Sequence, residues 1–578
     1  MSCDKLVFDL ATEIEGSPSI FVKKDWLNIL DNQNGNYSAN QSVVDTSQLS
    51  NSNKFLSYRE AYISIPMLIT LTSNGAATFA PATSGTSADY SIGLKNWFGQ
   101  IVHSFTLDYN GTTIIQQTPF INMWNSFKLM TTLSWSDVQT MGATIGFYPD
   151  DPLSWSYNTT ATTSGVGVCN NTNYTTSGFS TIVNGQDNNY KANNGNIGFL
   201  RRQTYINYDD SGLIGTSSGG NVQYSALLPG VAANTLWKSR VSAKVDVANG
   251  LPGVFQISIR ATVYLKHLHS FFQMVPLLKG VYMKMTLNLN NSSCVVSSAA
   301  GGALSLSSST VAVGGVQPLM IASRITSNGG IALGAGTYTA SLSVGNRCLN
   351  SSQTGIAGVS EGVNGNNIFL YVPAYTFNPV FEQAYLSNPI KNIVYSDLYQ
   401  YQVLNTQADG QINQLLTNGL ANLKSVLILP FFNQVIPGST TAGQTGPVYK
   451  SPFDPAGTGP TSPLCLLTNF NVVVSGQNAI YNTQRYSFEQ FNNQLYGCNA
   501  VNGGMTDGLT SGLIDHLGFE MEYCYYYVNV ERMLPIEQSV PKSVQVVGQN
   551  KSLLPINLWC FIEYSVSVSI DIISGARV

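Results

Sequence analysis

A short unit of strand, turn, strand and helix at residues 105–130 most constrains what this chain can fold into. Apolar residues alternate with polar ones along its first strand, at Phe105, Leu107 and Tyr109. Asn110-Gly111 predicts a tight hairpin turn, and Ile114 begins the returning strand. The unit therefore predicts a half-buried hairpin in an antiparallel sheet.

A helix is expected directly after this hairpin. Thr118 and Pro119 have the residue types of an N-cap and a first helical position. The residues that follow give one apolar stripe with helical spacing, at Phe120, Met123, Trp124 and Phe127. We expect this stripe to pack against the sandwich to which the hairpin itself belongs.

The same unit recurs 365 residues later in the chain. Identical residues at this offset are Phe105 and Phe470, Gly111 and Gly476, Ile115 and Ile480, and Thr118 and Thr483. The second helix has its own start signal, a capping box from Ser487 to Gln490, and an apolar face at Phe488, Phe491 and Leu495. The chain is therefore interpreted as two versions of one β-rich domain.

The composition fits β-rich domains whose surfaces are covered by other molecules. Charged residues make up only 10% of the 578 residues, against a usual value of about 25%. The 52 glycines, 30 tyrosines and 25 phenylalanines are typical of strands joined by many turns. A surface so poor in charge favours a protein whose faces are largely covered by neighbouring molecules.

Charge and hydropathy exclude several classes of protein. The net charge is −4, and no run of Lys and Arg exceeds a pair, so direct nucleic-acid binding is not expected. Residues 1–20 have no apolar core of signal-peptide length, and no apolar run approaches a membrane span. The chain is expected to be made in the cytosol. The eight scattered cysteines are then expected to be free thiols: Cys3, Cys169, Cys294, Cys348, Cys465, Cys498, Cys524 and Cys560.

Strand patterns divide the chain into an N-terminal arm at 1–54, a first domain at 55–377 and a second at 378–578. Alternating or apolar runs predict strands at 62–71, 255–265, 281–289 and 368–375, and then at 393–404, 423–429, 519–527, 544–547 and 566–572. Pro66 indicates an edge or bulged strand. Segments at about 157–220 and 296–345 are rich in small polar residues and are interpreted as large surface loops.

These strands predict an all-β fold of two tandem eight-stranded jelly rolls, a double jelly roll with short helices and long loop insertions. Many short strands separated by turn signals favour a sandwich or a jelly roll. The long crossings and the large loops at one end favour the jelly roll.

Few residues suggest chemistry. His267 and His269 share a face if they lie on a strand, but no third metal ligand is near them in the sequence. The acidic pairs Asp150-Asp151 and Asp209-Asp210 are explained by turns better than by Ca²⁺. Glu520 and Glu522 would share a strand face, as the carboxylate pair of a glycoside hydrolase would need.

Residues 523–527, Tyr-Cys-Tyr-Tyr-Tyr, are either a stacking platform for sugars or bases or a core strand, and the core strand is favoured. The sequence contains no phosphate-binding loop ending in Gly-Lys-Ser/Thr, no Gly-x-Ser-x-Gly and no His-Glu-x-x-His. No catalytic, cofactor-binding or metal site is therefore predicted, and an enzyme is not expected.

Four segments give the chain a resemblance to a known family: residues 105–130, 263–289 (with Phe271-Phe272 and Leu277-Leu278-Lys279-Gly280), 423–432 and 558–575. In their order and pattern they resemble the double jelly-roll major capsid proteins of double-stranded DNA viruses, of the virophage and polinton-like virus type. The resemblance spans nearly the whole chain.

The resemblance implies a structural protein of the virion, with no cofactor. Three copies would form a pseudo-hexameric homotrimeric capsomer of an icosahedral shell, assembled in the host cytoplasm or a viral factory. Its partners would be itself, neighbouring capsomers, and minor capsid and penton proteins. The loops at one end would point outward and the arm inward. The alternatives are a secreted or surface β-rich carbohydrate-binding protein and, in third place, a glycoside hydrolase.

Overall fold

The structure is a computed structural model of the chain. It describes residues 19–74 (except 34 and 50–53), 79–81, 88–150, 157–158, 170–171, 181–182, 198, 202–205, 254–325 (except 280–281, 299–303 and 314), 331–345 (except 334), 367–434, 446–452, 461, 465–481, 485–495, 512–531 (except 522) and 539–578 (except 553–554 and 574–575).

Strands dominate the first half of the described chain. They are β1 Phe21–Leu30, β2 Gln41–Asp45, β3 Phe55–Leu56, β4 Tyr62–Asn74, β5 Phe79–Pro81, β6 Ala88–Leu94, β7 Val102–Tyr109, β8 Thr112–Ile115, β9 Tyr157–Asn158, β10 Asn170–Asn171, β11 Thr181–Ile182, β12 Gln203–Tyr205, β13 Val254–Tyr264, β14 Leu278–Lys279, β15 Met283–Leu289, β16 Ser292–Ser298, β17 Leu304–Val311, β18 Leu319–Ile325, β19 Ile331–Leu333, β20 Gly336–Val344 and β21 Phe369–Phe377.

The second half continues the pattern with longer strands. They are β22 Ile390–Thr406, β23 Gln411–Leu420, β24 Leu423–Gln434, β25 Gly446–Pro447, β26 Leu467–Val474, β27 Gln477–Asn478, β28 Tyr526–Asn529, β29 Lys542–Asn550 and β30 Ile556–Asp571. The α-helices of the described residues are α1 Ile121–Thr132, α2 Trp135–Ile145, α3 Leu265–Leu268, α4 Phe271–Met274, α5 Pro379–Leu386, α6 Phe488–Leu495 and α7 His516–Met521. Short 3-10 turns lie at Ser47–Leu49, Phe98–Ile101 and Val448–Lys450.

Eight strands of the first half form a two-sheet sandwich. One sheet has the order β1-β21-β4-β13, and the other has the order β2-β15-β7-β8, with antiparallel pairing throughout. Numbered one to eight along the chain, these strands give the orders 1-8-3-6 and 2-7-4-5. Pairing the first strand with the eighth and the second with the seventh is the topology of a jelly roll.

The second half repeats this topology strand for strand. Its sheets are β22-β30-β24-β28 and β23-β29-β26-β27, which again give 1-8-3-6 and 2-7-4-5. The prediction of an all-β double jelly roll is therefore confirmed.

The two hairpins that suggested a repeat have matching turns. Asn110 and Gly111 have φ values of 46° and 82°, and Ser475 and Gly476 have 47° and 83°. Positive φ at both central positions is the geometry of the type I′ turn that suits two-residue hairpins. Each turn joins the fourth strand of a jelly roll to the fifth.

Alternating burial fills the space between the sheets. In β15 the buried residues alternate without a break with half-buried ones, and β29 shows the same alternation. In β13, Ala261 and Val263 are fully buried while Arg260 is exposed, as the sequence pattern predicts. Each sandwich is therefore held mainly by apolar burial between its two sheets.

The strands β1 and β2 lie in the segment that was expected to be an arm. β1 pairs with β21 from Phe21 to Leu30, and β2 pairs with β15, so both belong to the first jelly roll. In β1 only Ile29 is fully buried, and Lys23, Lys24 and Asp25 interrupt the apolar pattern. That weak alternation hid the strand, and a boundary at 54 is wrong.

Pro66 lies within a central strand, and the expected edge position is wrong. β4 pairs with β13 from Tyr62 to Thr72, and Arg260 is opposite Pro66. On its other side, β4 pairs with β21 up to Ser64 and with β20 from Met67. On that side, Pro66 thus lies between the part of β4 that pairs with β21 and the part that pairs with β20. The N–H that proline lacks therefore interrupts no series of backbone hydrogen bonds there.

Much of the segment 296–345, expected to be a loop, is strand. β20, β16 and β17 extend the sheet that contains β4, and β18 and β19 belong to a separate sheet with β5, β6 and β12. Their Ser- and Gly-rich sequences resemble loop composition, which explains the wrong prediction. Most of 157–220 lies outside the described residues.

The predicted strand at 519–527 is helical in its first part. α7 spans His516–Met521, and the strand β28 begins only at Tyr526. Asp515 caps the helix, because its side-chain oxygen accepts a hydrogen bond from the Gly518 amide at 2.6 Å. A local cap therefore overrides the apolar alternation of this segment.

Candidate functional site

Helix α1 lies between the two jelly rolls and forms the centre of their contact, which we call the seam. All of its residues except Lys128 and Thr132 are buried. The ring centroid of Phe120 lies 4.0 Å from that of Trp559, and Phe127 lies 5.1 Å from Tyr525 and 5.5 Å from Tyr527. Trp559 is on β30, and Tyr525 and Tyr527 are at β28, so these rings come from the second jelly roll.

The expectation that this stripe packs on its own sandwich is therefore incomplete for the aromatic residues, although the ring of Phe120 also lies 4.7 Å from that of His103 on β7. Trp124 likewise contacts Phe561 of β30, with ring centroids 6.1 Å apart. The period of a helix identifies its apolar face, but the period carries no information about which surface covers that face. The sequence thus predicted the contact residues and missed their partners.

The start of α1 also belongs to the seam. The helix begins at Ile121, two residues after the predicted position, and Phe120 precedes it with a left-handed φ of 60°. Thr118 does not cap the helix, because its hydroxyl donates to the Leu398 carbonyl at 3.0 Å. Leu398 is on β22, so this hydrogen bond joins the two jelly rolls.

Further hydrogen bonds fix β22 against the first jelly roll. The Tyr395 hydroxyl donates to the Ile114 carbonyl at 2.9 Å. The Ser270 hydroxyl donates to the Ser396 carbonyl at 2.6 Å and accepts from the Ser396 amide at 2.9 Å. Because these hydrogen bonds have defined partners, they fix one position of β22 against the first jelly roll, in addition to the apolar contacts of the seam.

The seam covers the outer face of one particular sheet. All residues of β30 from Ile556 to Glu563 are buried, although successive side chains point to opposite faces. One face is buried in the second sandwich, and α1 contributes to the cover of the other through Trp559 and Phe561. The 1-8-3-6 sheet of the second jelly roll is therefore closed on both sides at this place.

The equivalent face of the first jelly roll carries its own aromatic cluster, which is partly exposed among the described residues and which we call the open face. Its residues are Trp26 of β1, Tyr62 of β4, Tyr264 of β13, and Phe369 and Tyr371 of β21. Tyr62 lies 5.8 Å from Trp26, 5.6 Å from Tyr264 and 5.0 Å from Tyr371 between ring centroids. Trp26 is 51% exposed, whereas the inward-facing Ile63 and Leu370 are fully buried.

Helix α6 is the counterpart of α1 in the second jelly roll, since each follows the fifth strand. Only Phe491 and Leu495 of α6 are buried, and Glu489 and Asn493 on its other side are exposed. The Ser487 hydroxyl accepts from the Gln490 amide at 3.4 Å, as in the predicted capping box. α1 is buried on nearly all sides, whereas the described residues cover α6 on one side only.

His103, His267 and His269 are buried or half-buried groups of the packed chain. His267 is on α3 and His269 follows it, so they do not share a strand face. His269 Nε2 lies 3.5 Å from Asp397 Oδ1 across the seam. Burial lowers the pKa of His103 and of His267 to about 4. Within the described residues, no three His, Cys, Asp or Glu side chains form a group that could hold a metal.

The carboxylates considered for chemistry have structural partners. Asp150 forms a buried ion pair with Arg202 at 2.6 Å. Glu520 lies on helix α7 and pairs with Arg485 at 2.8 Å, so the expected strand-face pair with Glu522 is wrong for Glu520. Asp151, Asp209, Asp210 and Glu522 lie outside the described residues.

The tyrosine run is buried, as the core interpretation predicts. Tyr523, Tyr525, Tyr526 and Tyr527 are at most 3% exposed, so they offer no open stacking platform. Cys294, Cys524 and Cys560 are free, Cys465 is buried, and burial raises the pKa of the Cys294 and Cys560 thiols to about 12. The other four cysteines lie outside the described residues. Among the described helices, none is both long and apolar enough to cross a membrane.

Comparison with solved structures finds similar chains that align over almost the whole length. A chain of the Sputnik virophage has a TM-score of 0.45 and 11% identity, and the match covers 97% of this chain and 89% of that one. The strand order above confirms the double jelly roll that the resemblance implied.

Two further solved structures are similar. The Faustovirus major capsid protein matches with a TM-score of 0.39 and 9% identity, covering 95% of this chain and 91% of that one. The mavirus major capsid protein matches with a TM-score of 0.38 and 9% identity, covering 97% and 91%. No protein-family model and no curated protein matches the sequence.

Proposed function

We propose that this chain is the major capsid protein of an icosahedral viral shell and that three copies form one pseudo-hexameric capsomer. The observation that carries the proposal is the difference between two equivalent sheets. At the seam, the outer face of the second jelly roll is covered by the first one, whereas the outer face of the first jelly roll carries a partly exposed aromatic cluster around Trp26.

A second copy fits the open face better than an unrelated partner does, because the chain already contains the matching contact. In the seam, the helix after the fifth strand of one jelly roll packs on the 1-8-3-6 sheet of the other. If the second jelly roll of a neighbouring chain, with α6 at its edge, packs on the open face, the same kind of contact repeats. Such a head-to-tail contact between unlike surfaces makes a ring when its rotation closes.

The number of copies follows from the duplication. Each chain supplies two similar domains, so six domains around an axis require three chains. The low content of charged residues, 10%, suits side faces that are buried in such an assembly. A structural role of this kind requires no catalytic group.

The finer features follow from the same proposal. The capsomers would contact one another and minor capsid and penton proteins in a virion assembled in the host cytoplasm or a viral factory, without binding nucleic acid directly. The insertions between strands, including 157–220, would point outward. The division between the two jelly rolls near residue 378, just before α5, stays a prediction.

The test is a charge in the open face. In Trp26→Asp, the exposed indole is replaced by a carboxylate that a neighbouring copy would have to bury without a partner, so the trimer should dissociate. We expect native mass measurement to show trimer for the unaltered chain and monomer for the variant. Trp135→Asp is the matched control, because Trp135 is also exposed, at 60%, but is not one of the rings of the open face.

Two results would count against the proposal. A stable monomer of the unaltered chain at micromolar concentration would contradict the trimer. An unaltered monomer that binds glycans on an array, with binding lost in Trp26→Asp, would instead support a carbohydrate-binding protein. Thermal unfolding of both variants checks that they remain folded.

A further inference from the structure

A cavity of about 410 Å³ lies at the seam between the two jelly rolls. Helices α1, α3 and α4 form its wall on the side of the first jelly roll, and β22, β24 and β30 form it on the other side. This volume falls in the range of small-molecule sites, about 300–1,000 Å³. The cavity is therefore large enough for a compact organic ligand.

The wall of this cavity is cationic. Lys128 and Lys266 come from the first jelly roll, Lys424 comes from the second, and the carboxylate in the wall is Glu563. The whole chain has only 27 Lys and Arg among 578 residues, so three lysines around one cavity are a local concentration of charge. Low-dielectric walls strengthen the attraction of such a cleft for an anion.

The lysines are not neutralised by direct ion pairs. Lys424 donates to the Ser396 hydroxyl at 3.0 Å, and the Lys128 ammonium lies 5.6 Å from the Trp124 ring centroid. Within the described part of the chain, none of the three ammonium groups makes a salt bridge. Their donors are therefore available to a ligand.

The pKa of Glu563 reflects the positive charge of two of these lysines. Its burial alone would raise the pKa of its carboxyl group, but Lys128 and Lys424, with the Ser425 and Ser396 hydroxyls, lower that pKa below its usual value. The Ser425 hydroxyl donates to Glu563 Oε2 at 2.8 Å. One ionised carboxylate against three ammonium groups leaves the wall with a positive excess.

The cavity wall also contains a buried polar group without a partner. Asn125 is 4% exposed, and its side-chain nitrogen has no hydrogen-bond partner among the described residues. An unpaired buried donor is costly, and such groups in folded proteins call for an explanation. A ligand oxygen would satisfy this donor.

We propose that the cavity binds a small molecule that carries a phosphate group, held by Lys128, Lys266 and Lys424 and by the Asn125 amide. Phosphate offers several acceptor oxygens and two negative charges, which match the lysine and amide donors that α1, α3 and β24 contribute to the wall. Because the lysines come from both jelly rolls, the bound ligand bridges the seam and stabilises the relative position of the two domains.

Isothermal titration of the full chain with inorganic phosphate and with adenosine monophosphate, at ionic strength matched with chloride, tests this proposal. We expect one site per chain for at least one of the two probes. Lys128→Met and Lys424→Met should each weaken binding about tenfold or more, as expected for loss of one charge-assisted contact. Lys551→Met should bind like the unaltered chain, because Lys551 pairs with Asp409 away from the cavity.

Glu563→Gln separates binding from folding. It removes the carboxylate that opposes the anion, so binding should become tighter, which a purely structural role of the lysines does not predict. If Lys128→Met fails to fold, Lys266→Met replaces it. No saturable binding of either probe up to about 10 mM, or equal affinity in all variants, would overturn the proposal. Binding of the ester alone would show that the organic part is also recognised.

Discussion

The two outer faces of the 1-8-3-6 sheets differ although the sheets have the same strand order. On the second jelly roll, the aromatic residues of this face are buried under α1. On the first jelly roll, Trp26 is half exposed and its neighbouring rings are only partly covered. The two halves thus share the same sandwich, while the elements that cover the outer face of each sandwich differ.

The two helices that follow the fifth strands differ in the same sense. α1 is a 12-residue helix that is buried nearly all round, and α6 is an 8-residue helix with one buried stripe. A helix that is apolar on all sides needs partners on all sides, whereas an amphipathic helix needs one. In the proposed trimer, a second chain would therefore pack on the face that its own chain leaves uncovered.

The largest expected effect is on the covered face. Phe127→Ala removes the ring that contacts Tyr525 and Tyr527 and leaves a cavity in the seam, so the free energy of unfolding should fall by about 3–5 kcal/mol. Denaturant titration measures this value. Trp26→Ala is the matched change on the open face and should cost less than about 1 kcal/mol in the separated chain. Equal losses would remove the distinction between the two faces.

The pH dependence of stability should also point to the seam. The folded pKa of His103, about 4, lies below its ordinary value of 6.5, because burial disfavours the charged ring, which lies 4.7 Å from the Phe120 ring. Between pH 6.5 and 4 the unfolded chain binds a proton that the folded chain does not. Stability therefore falls with falling pH, by up to about 1.4 kcal/mol per pH unit.

His103→Leu isolates this contribution. The variant should lose less stability than the unaltered chain between pH 6.5 and 4, while the two should show parallel pH dependence above pH 7. Denaturant titrations at several pH values measure the difference. Identical slopes in the acid range would show that His103 does not titrate as its burial requires.

The smallest expected effect is the loss of one tyrosine hydroxyl, compared between a position in the seam and a position beside β1. Tyr395→Phe leaves the buried Ile114 carbonyl without its seam donor and should cost about 1–2 kcal/mol. Tyr375→Phe removes a hydrogen bond to Glu60 beside β1, where water can replace the donor, and should cost about 0.5 kcal/mol or less. Thermal unfolding of the pair ranks them. The reverse order would mean that the seam hydrogen bond contributes little.

Local signals were enough to predict the repeated core. The Asn110-Gly111 and Ser475-Gly476 turns occupy positions that need positive φ, and the alternation along β15 reflects one sheet face turned to the interior. These features depend on neighbours in the sequence. The jelly-roll topology followed from their number and order.

Features that depend on distant partners could not be predicted in the same way. β1 has one fully buried residue, because its outer face is open and its strand lies at a sheet edge. The contact of Phe120 with Trp559 joins residues far apart in the chain, and neither residue type indicates the other. The cavity at the seam was missed for the same reason, since its lysines are scattered in the sequence.

The pairing of β1 with β21 has a consequence for the order in which the chain folds during synthesis. Phe21 is made early, but its partner Phe377 leaves the ribosome only after hundreds of further residues. At about 5–20 residues per second, β1 waits for tens of seconds without its neighbour. During that time Val22 and Trp26 of β1 are exposed and can pair with the wrong strand. A nascent chain of this kind therefore needs its first strand to be protected until slow synthesis reaches β21.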